Sequence, residues 1–117
     1  MIELNLPYPP SVNTITAVVR GRKITSKRGR EYRKEAVDLI TEQYQGEMIT
    51  GPVAVEIELY PPTRRRSDID NFSKGVLDAI TAAGVWNDDD QVDQLTINRE
   101  PVMNGGMCVV RIRELGA

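Results

Sequence analysis

Histidine is missing from the chain altogether, and that absence removes more chemistry than any other feature of the composition. Without imidazole there is no His-dependent nucleophilic triad, no histidine acid–base catalysis and no usual zinc site. Any metal must be held by carboxylates, carbonyls and water, ligands that favour magnesium, manganese or calcium. Cysteine is nearly absent too: Cys108 stands alone, so no intrachain disulfide framework exists. Its setting, VMNGGMCVVRI, reads as a strand with the thiol in the core. No apolar run approaches the roughly 20 residues that cross a membrane, and MIELNLPYPP lacks the layout of a signal peptide. A cytoplasmic protein without membrane contact is expected. With 117 residues the chain suits one domain and is too short for two.

Charge is plentiful but unevenly placed. The formal net charge of −2 looks wrong for a nucleic-acid binder. Residues 20–34 nevertheless carry eight Lys or Arg (Arg20, Arg22, Lys23, Lys27, Arg28, Arg30, Arg33, Lys34) against Glu31 alone. Residues 68–93 carry seven aspartates against Lys74 alone. A basic surface and an acidic site on one small domain suit a polyanion gripped in one place and metal-bound in another. A solvated basic face is the plainer account of the first run.

Periodicity sets the expected order of elements. IELNL alternates as a short strand and stops at the Pro-rich connection PYPPSVN. TAVVRGRKIT predicts a small hairpin around Gly21 with basic residues near its tip. From about Ser26 to Gln45, Tyr32, Ala36, Leu39, Ile40 and Gln43 recur at helical spacing, with Gly46 as the stop. PVAVEIELYPP is a strand with Val53, Val55, Ile57 and Leu59 on one face and Glu56 and Glu58 on the other. Ile69, Phe72, Val76, Ile80 and Ala83 trace a second helix, closed by Gly84. VWNDDDQ reads as a loop. VDQLTINREPV and GMCVVRIREL read as strands, and the Asn-Gly between them predicts that they pair as a hairpin. The expected fold is α+β: a single domain over residues 1–117, with one mixed β-sheet packed with two helices in the approximate order βαβαββ.

The densest chemistry lies in RRRSDIDNFSK, residues 64–74. Attraction between neighbours does not explain it, because exposed ion pairs contribute under about 1 kcal/mol. Asp68 and Asp70 fall where a loop becomes helix, and in extended backbone residues two apart point the same way, toward one ion. A structural account competes: Ser67 as N-cap, Asp70 as capping-box acid, Asp68 on the helix dipole, and Lys74 as the i+4 partner of Asp70. NDDD at 87–90 is denser in like charge than a turn requires. It is not an EF-hand loop, since position twelve from Asp88 is Arg99 rather than Glu. The cluster reaches the Asp68–Asp70 end by folding back along about 20 Å of helix, or by meeting it in a neighbouring subunit. Spacing leaves both routes open.

RRRSDIDNFSKGVLDAITAAGVWNDDDQV closely resembles the signature region of the RusA family of Holliday junction resolvases. PYPPSVN and INREPVMNGGMCVVRI extend the resemblance over essentially the whole chain. A bare D-x-D is a weak signal, whereas D-x-D-N-x-x-K followed at this distance by W-x-D-D-x-Q-V is a strong one. The resemblance implies a dimeric endonuclease for four-way DNA junctions, making paired symmetric nicks in recombination and repair. It implies magnesium, with manganese able to substitute, and no organic cofactor. Carried across by position, Asp68, Asp70 and Asp89 are the metal-binding and catalytic acids, Lys74 is the catalytic lysine, and Asn71 and Asp88 support them. Ser67 departs from the basic residue often found there, and Asp90 adds a carboxylate beside the site.

Phosphodiester hydrolysis makes sense of these residue types. A carboxylate-held cation activates water and relieves charge on the phosphate, and a lysine adds electrostatic help. Arg64, Arg65 and Arg66, with Arg22, Lys23, Lys27, Arg28 and Arg30, would contact backbone phosphates, positioning DNA without reading bases. Three rivals stand beside this reading. They are a flap or fork nuclease, a non-catalytic nucleic-acid-binding domain, and a D-x-D phosphatase or sugar transferase. The aspartate density speaks against the second; the RRRS before the motif and the short chain speak against the third.

Overall fold

The computed structural model describes residues 1–116. Six strands form, β1 (Ile2–Leu6), β2 (Thr16–Val19), β3 (Arg22–Thr25), β4 (Val53–Tyr60), β5 (Val92–Arg99) and β6 (Met107–Glu114). Three helices accompany them, α1 (Val12–Ile15), α2 (Lys27–Gln43) and α3 (Ser73–Ala82). The main sheet has the order β1-β6-β4-β5, with β4 antiparallel to β6 and parallel to β5. The α+β expectation holds. The short α1 is an addition to it, inside the stretch read as a Pro-rich connection.

Alternation builds the core. In β4, Val53, Val55, Ile57 and Leu59 are buried, and the residues between them are half-buried. Leu4, Leu6, Cys108, Val110 and Ile112 share that side through the β1–β6–β4 register. The helices supply Tyr32, Ala36 and Ile40 from α2, and Val76, Ala79 and Ile80 from α3. The opposite face of the sheet is open and polar. There Arg111 bonds Glu3, Glu56 and Glu58 at 3.0, 3.1 and 2.6 Å, tying three strands together. The glutamates of β4 therefore have a structural partner.

Two glycines let the helices approach. A Cβ on Gly29 of α2 would lie 2.8 Å from the Ile15 carbonyl oxygen, and one on Gly75 of α3 would lie 3.0 Å from Ile15 Cδ1. Ile15 of α1 is thus wedged between both long helices. Ser26 caps α2 by accepting from Gly29 N at 3.0 Å. Gly84, at φ 79°, closes α3 with Gly84 N–Thr81 O and Val85 N–Ile80 O bonds of 3.0 and 3.3 Å, a Schellman end. The β2–β3 hairpin turns on Arg20 and Gly21 at φ 52° and 75°, as a two-residue primed turn requires.

One expectation fails. The last two strands are not a hairpin, because β4 lies between them. The Asn-Gly turn exists, with Gly106 N donating to Met103 O at 2.8 Å. Its connection instead spans the end of β4, with Glu100 N on Leu59 O at 2.8 Å and Met103 N on Pro61 O at 2.9 Å. Turn chemistry specifies a reversal of direction; it does not specify which strand fills the gap. β4, with Val53, Val55, Ile57 and Leu59 all buried on one face, takes the central place.

Candidate functional site

The loop after β4 carries the arginines. Pro61 and Pro62 cannot continue a ladder, and Arg64, Arg65 and Arg66 are exposed beyond them. Arg99, at the end of the parallel neighbour β5, donates to the Ser67 carbonyl and ties the loop to the sheet. Asp68 is extended at φ −75° and ψ 126°, and a 3-10 turn over Ile69–Phe72 then leads into α3. Phe72 is buried and stacks obliquely on Tyr8, ring centroids 5.3 Å apart. This anchor orients the turn so that Asp68 and Asp70 both line one recess of roughly 540 Å³, with Arg66 and Arg99 on its walls.

The capping account of these acids does not hold. Neither the 3-10 turn nor α3 has a side-chain cap hydrogen bond at its start. Lys74 pairs at 3.3 Å with Asp78, one turn further on, rather than with Asp70. Among the described residues, no ion pair or side-chain hydrogen bond engages Asp68 or Asp70.

The second acidic cluster is built by its neighbours in the motif. Trp86 is fully buried and donates from Nε1 to Thr81 Oγ1 at 2.6 Å. Gln91 accepts from Asn87 N and Asp88 N at 2.8 and 2.9 Å, and donates to Ile49 O and Gly51 O, both at 2.9 Å. Trp86 and Gln91 are therefore pins that hold the loop while Asp88, Asp89 and Asp90 stay exposed. Asp88 and Asp89 line a recess with Asp78 and Arg33. Local desolvation pushes the Asp89 carboxyl above its ordinary value. The hydrogen bond with Asp88 and the charges of Asp88 and Asp78 add to the shift, and Lys74 opposes it. The cluster has folded back along α3 far enough to feel Lys74.

It has not reached Asp68 and Asp70. Among the described residues no three carboxylates or thiols converge closely enough to hold an ion. One chain thus offers two acidic recesses, Asp68 with Asp70 and Asp89 with Asp78, and Lys74 belongs to the second. Sequence reading passed over Asp78, Arg33 and Arg99 as site residues. Only the i+4 spacing of Asp78 from Lys74 pointed to any of them.

The basic run divides in space. Arg28 lines a groove with Arg65, Arg66 and the Pro-rich loops. Arg30 donates to Thr25 O at 2.7 Å, and Lys27 pairs loosely with Glu31 at 3.9 Å. Arg22 and Lys23 stand exposed on β3, beside the hairpin tip. Arg28, Arg65 and Arg66 thus form a basic group that the fold gathers from distant parts of the chain.

Residues 7–113 match a family model described as endodeoxyribonuclease RusA. The chain is 38% identical over 113 residues to the crossover junction endodeoxyribonuclease RusA of Escherichia coli (strain K12), covering 97% of this chain and 94% of that one. The corresponding proteins of Shigella sonnei (strain Ss046) and Enterobacteria phage 82 give the same identity and coverage. Pinned tryptophan, unpaired D-x-D and clustered aspartates therefore sit in a chain that matches this family along nearly its full length, and the protein belongs to the RusA endodeoxyribonuclease family.

Proposed function

We propose that the chain is a structure-selective endodeoxyribonuclease that resolves four-way DNA junctions in the cytoplasm, as a homodimer, with magnesium as its metal. The observation that carries this reading is the recess in which two unpaired carboxylates, Asp68 and Asp70, face solvent between Arg66 and Arg99. Magnesium fits such a donor pair, because it keeps most of its waters and takes one or two carboxylates plus phosphate oxygens of the substrate. When bound, the ion would polarise the scissile phosphate and lower the pKa of an attacking water.

The chain's own residues do the remaining work. Arg28, Arg65 and Arg66 hold backbone phosphates and bring the strand to the recess. Arg99 stabilises the loop and adds positive charge at the recess wall. Lys74, half-exposed and able to leave Asp78, supplies a mobile ammonium for charge that develops on the phosphate. Asp89 is assigned as the third acid of the centre, and a second subunit related by a twofold axis is the means of bringing it there. The test is a cleavage assay on four-way, flap and linear DNA. Expected is cutting of the four-way junction with magnesium or manganese, abolished by excess chelator. Full activity in chelator after removal of bound metal would overturn the metal assignment.

A further inference from the structure

The β2–β3 hairpin belongs to neither the main sheet nor the core. Its root is firmly held. Ser26 Oγ donates to Thr14 O at 2.5 Å, Ser26 N to Ile15 O at 2.6 Å, and Arg30 to Thr25 O at 2.7 Å. Beyond the root the ribbon is supported by its own ladder, and residues 18–24 are all exposed. Val18 is 70% exposed, Val19 48% and Ile24 43%. Exposed apolar residues scattered singly are ordinary, whereas three together on one short tip mark a contact surface.

The register divides these side chains between the two faces of the ribbon. Ala17 lies opposite Ile24 and Val19 opposite Arg22, and alternation puts all four on one face. Val18 and its opposite residue Lys23 lie on the other. A ribbon laid in a groove of continuous duplex turns one face to the bases and the other to water. Apolar groups on both faces suit an element with a partner on either side, as a wedge between base pairs has. Charge identifies that partner. Arg20, Arg22 and Lys23 crowd the tip, and among the described residues no acid pairs with them. Arg20 sits at φ 52°, a conformation that favours Asn, Asp or Gly, so the turn carries a cation where its geometry prefers another residue. The root also adjoins the basic groove, because Thr14 and Arg28, on either side of the hairpin, line it with Arg65 and Arg66.

We propose that the β2–β3 hairpin is a wedge for the branch point of DNA. Val18 on one face, with Val19 and Ile24 on the other, presses against bases, while Arg20, Arg22 and Lys23 reach phosphates. The inference rests on the function proposed above and names the part of the chain that tells a junction from a duplex. In continuous duplex an inserted side chain must break a stack. At a branch point the stack is already interrupted, so insertion there costs less. A four-residue strand reaches about 13 Å, enough to pass the roughly 8.5 Å depth of a major groove.

The test uses a four-way junction carrying 2-aminopurine at the branch point, in excess chelator. The variant combines Val18→Thr, Val19→Thr and Ile24→Thr, which keeps shape and strand preference and removes apolar surface. The parent chain should raise the fluorescence at the branch point and leave it unchanged in the middle of an arm. The triple variant, with parent circular dichroism, should lose that rise, and its preference for junction over linear duplex should fall at least about tenfold. Should the triple variant alter the circular dichroism, Val18→Thr alone carries the same comparison. A variant that keeps both the rise and the preference overturns the wedge, as does one that weakens junction and duplex binding equally. Loss of self-association in sedimentation with DNA binding intact would assign the hairpin to a second copy instead, and the wedge falls. If the parent itself binds the junction no better than duplex, the proposed function fails and the wedge with it.

Discussion

Lys74 separates the bland account of the motif from the chemical one. Its ion pair with Asp78 is exposed on the lysine side, so removing it costs only a few tenths of a kcal/mol. Lys74→Ala should leave the thermal midpoint nearly unchanged and lower junction cleavage by about a hundredfold or more. Lost stability with unchanged specific activity would return the residue to a helical ion pair. Asp70 makes the complementary case. Among the described residues its carboxylate has no side-chain partner, and if it faces DNA as proposed, removing its negative charge would lower repulsion. Asp70→Asn should abolish cutting while gel-shift affinity for the junction persists or rises. An Asn variant that cuts at the parent rate would remove Asp70 from the centre.

At the scale of elements, the closest packing lies where α1, α2 and α3 meet at Ile15. Helix propensity alone favours Ala over Gly by roughly 1 kcal/mol. At Gly29 the added Cβ would press on a backbone oxygen at 2.8 Å, which cannot swing aside as a side chain can. Gly29→Ala should therefore destabilise by about 1–3 kcal/mol in denaturant titration, against the sign that propensity predicts. A stabilised variant would show that α1 moves freely, and that the wall carrying Arg28 is softer than its packing indicates. The β4–α3–β5 unit shows the same division between local and distant causes. Its strand periodicity and Schellman end are local and readable, whereas the insertion of β4 between β5 and β6 is a choice among partners.

Under the proposed function, the molecule as a whole would cut two strands of a branched substrate with small identical sites. A dimer with twofold symmetry presents two of them to a junction of similar symmetry. Mixed dimers of parent and Asp70→Asn chains should nick one strand and stall, leaving a religatable nick visible on a supercoiled cruciform plasmid. Paired cuts by mixed dimers at the parent rate would show that one site serves both strands. The net charge of −2 conceals how this surface is organised. Arg28, Arg65 and Arg66 are gathered at one groove, while the three glutamates around Arg111 lie on the open sheet face.

What the sequence by itself determined were the features with a local cause. Hydrophobic alternation marked β4, three- and four-residue spacing marked α2 and α3, Gly21 and Gly84 marked reversals, and the absence of histidine confined the chemistry to carboxylates, lysine and arginine. The spacing of D-x-D-N-x-x-K and W-x-D-D-x-Q-V carried the family. Only the tertiary structure decided the rest, because it depends on contacts between residues far apart in the chain. Burial of Trp86 and the four hydrogen bonds of Gln91 made those two motif residues pins rather than reagents. Folding back brought Asp89 to Asp78 and within reach of Lys74, not to Asp68 and Asp70. A side chain's role follows from what surrounds it, and the surroundings of these acids are supplied by strands and helices that no short stretch of sequence contains.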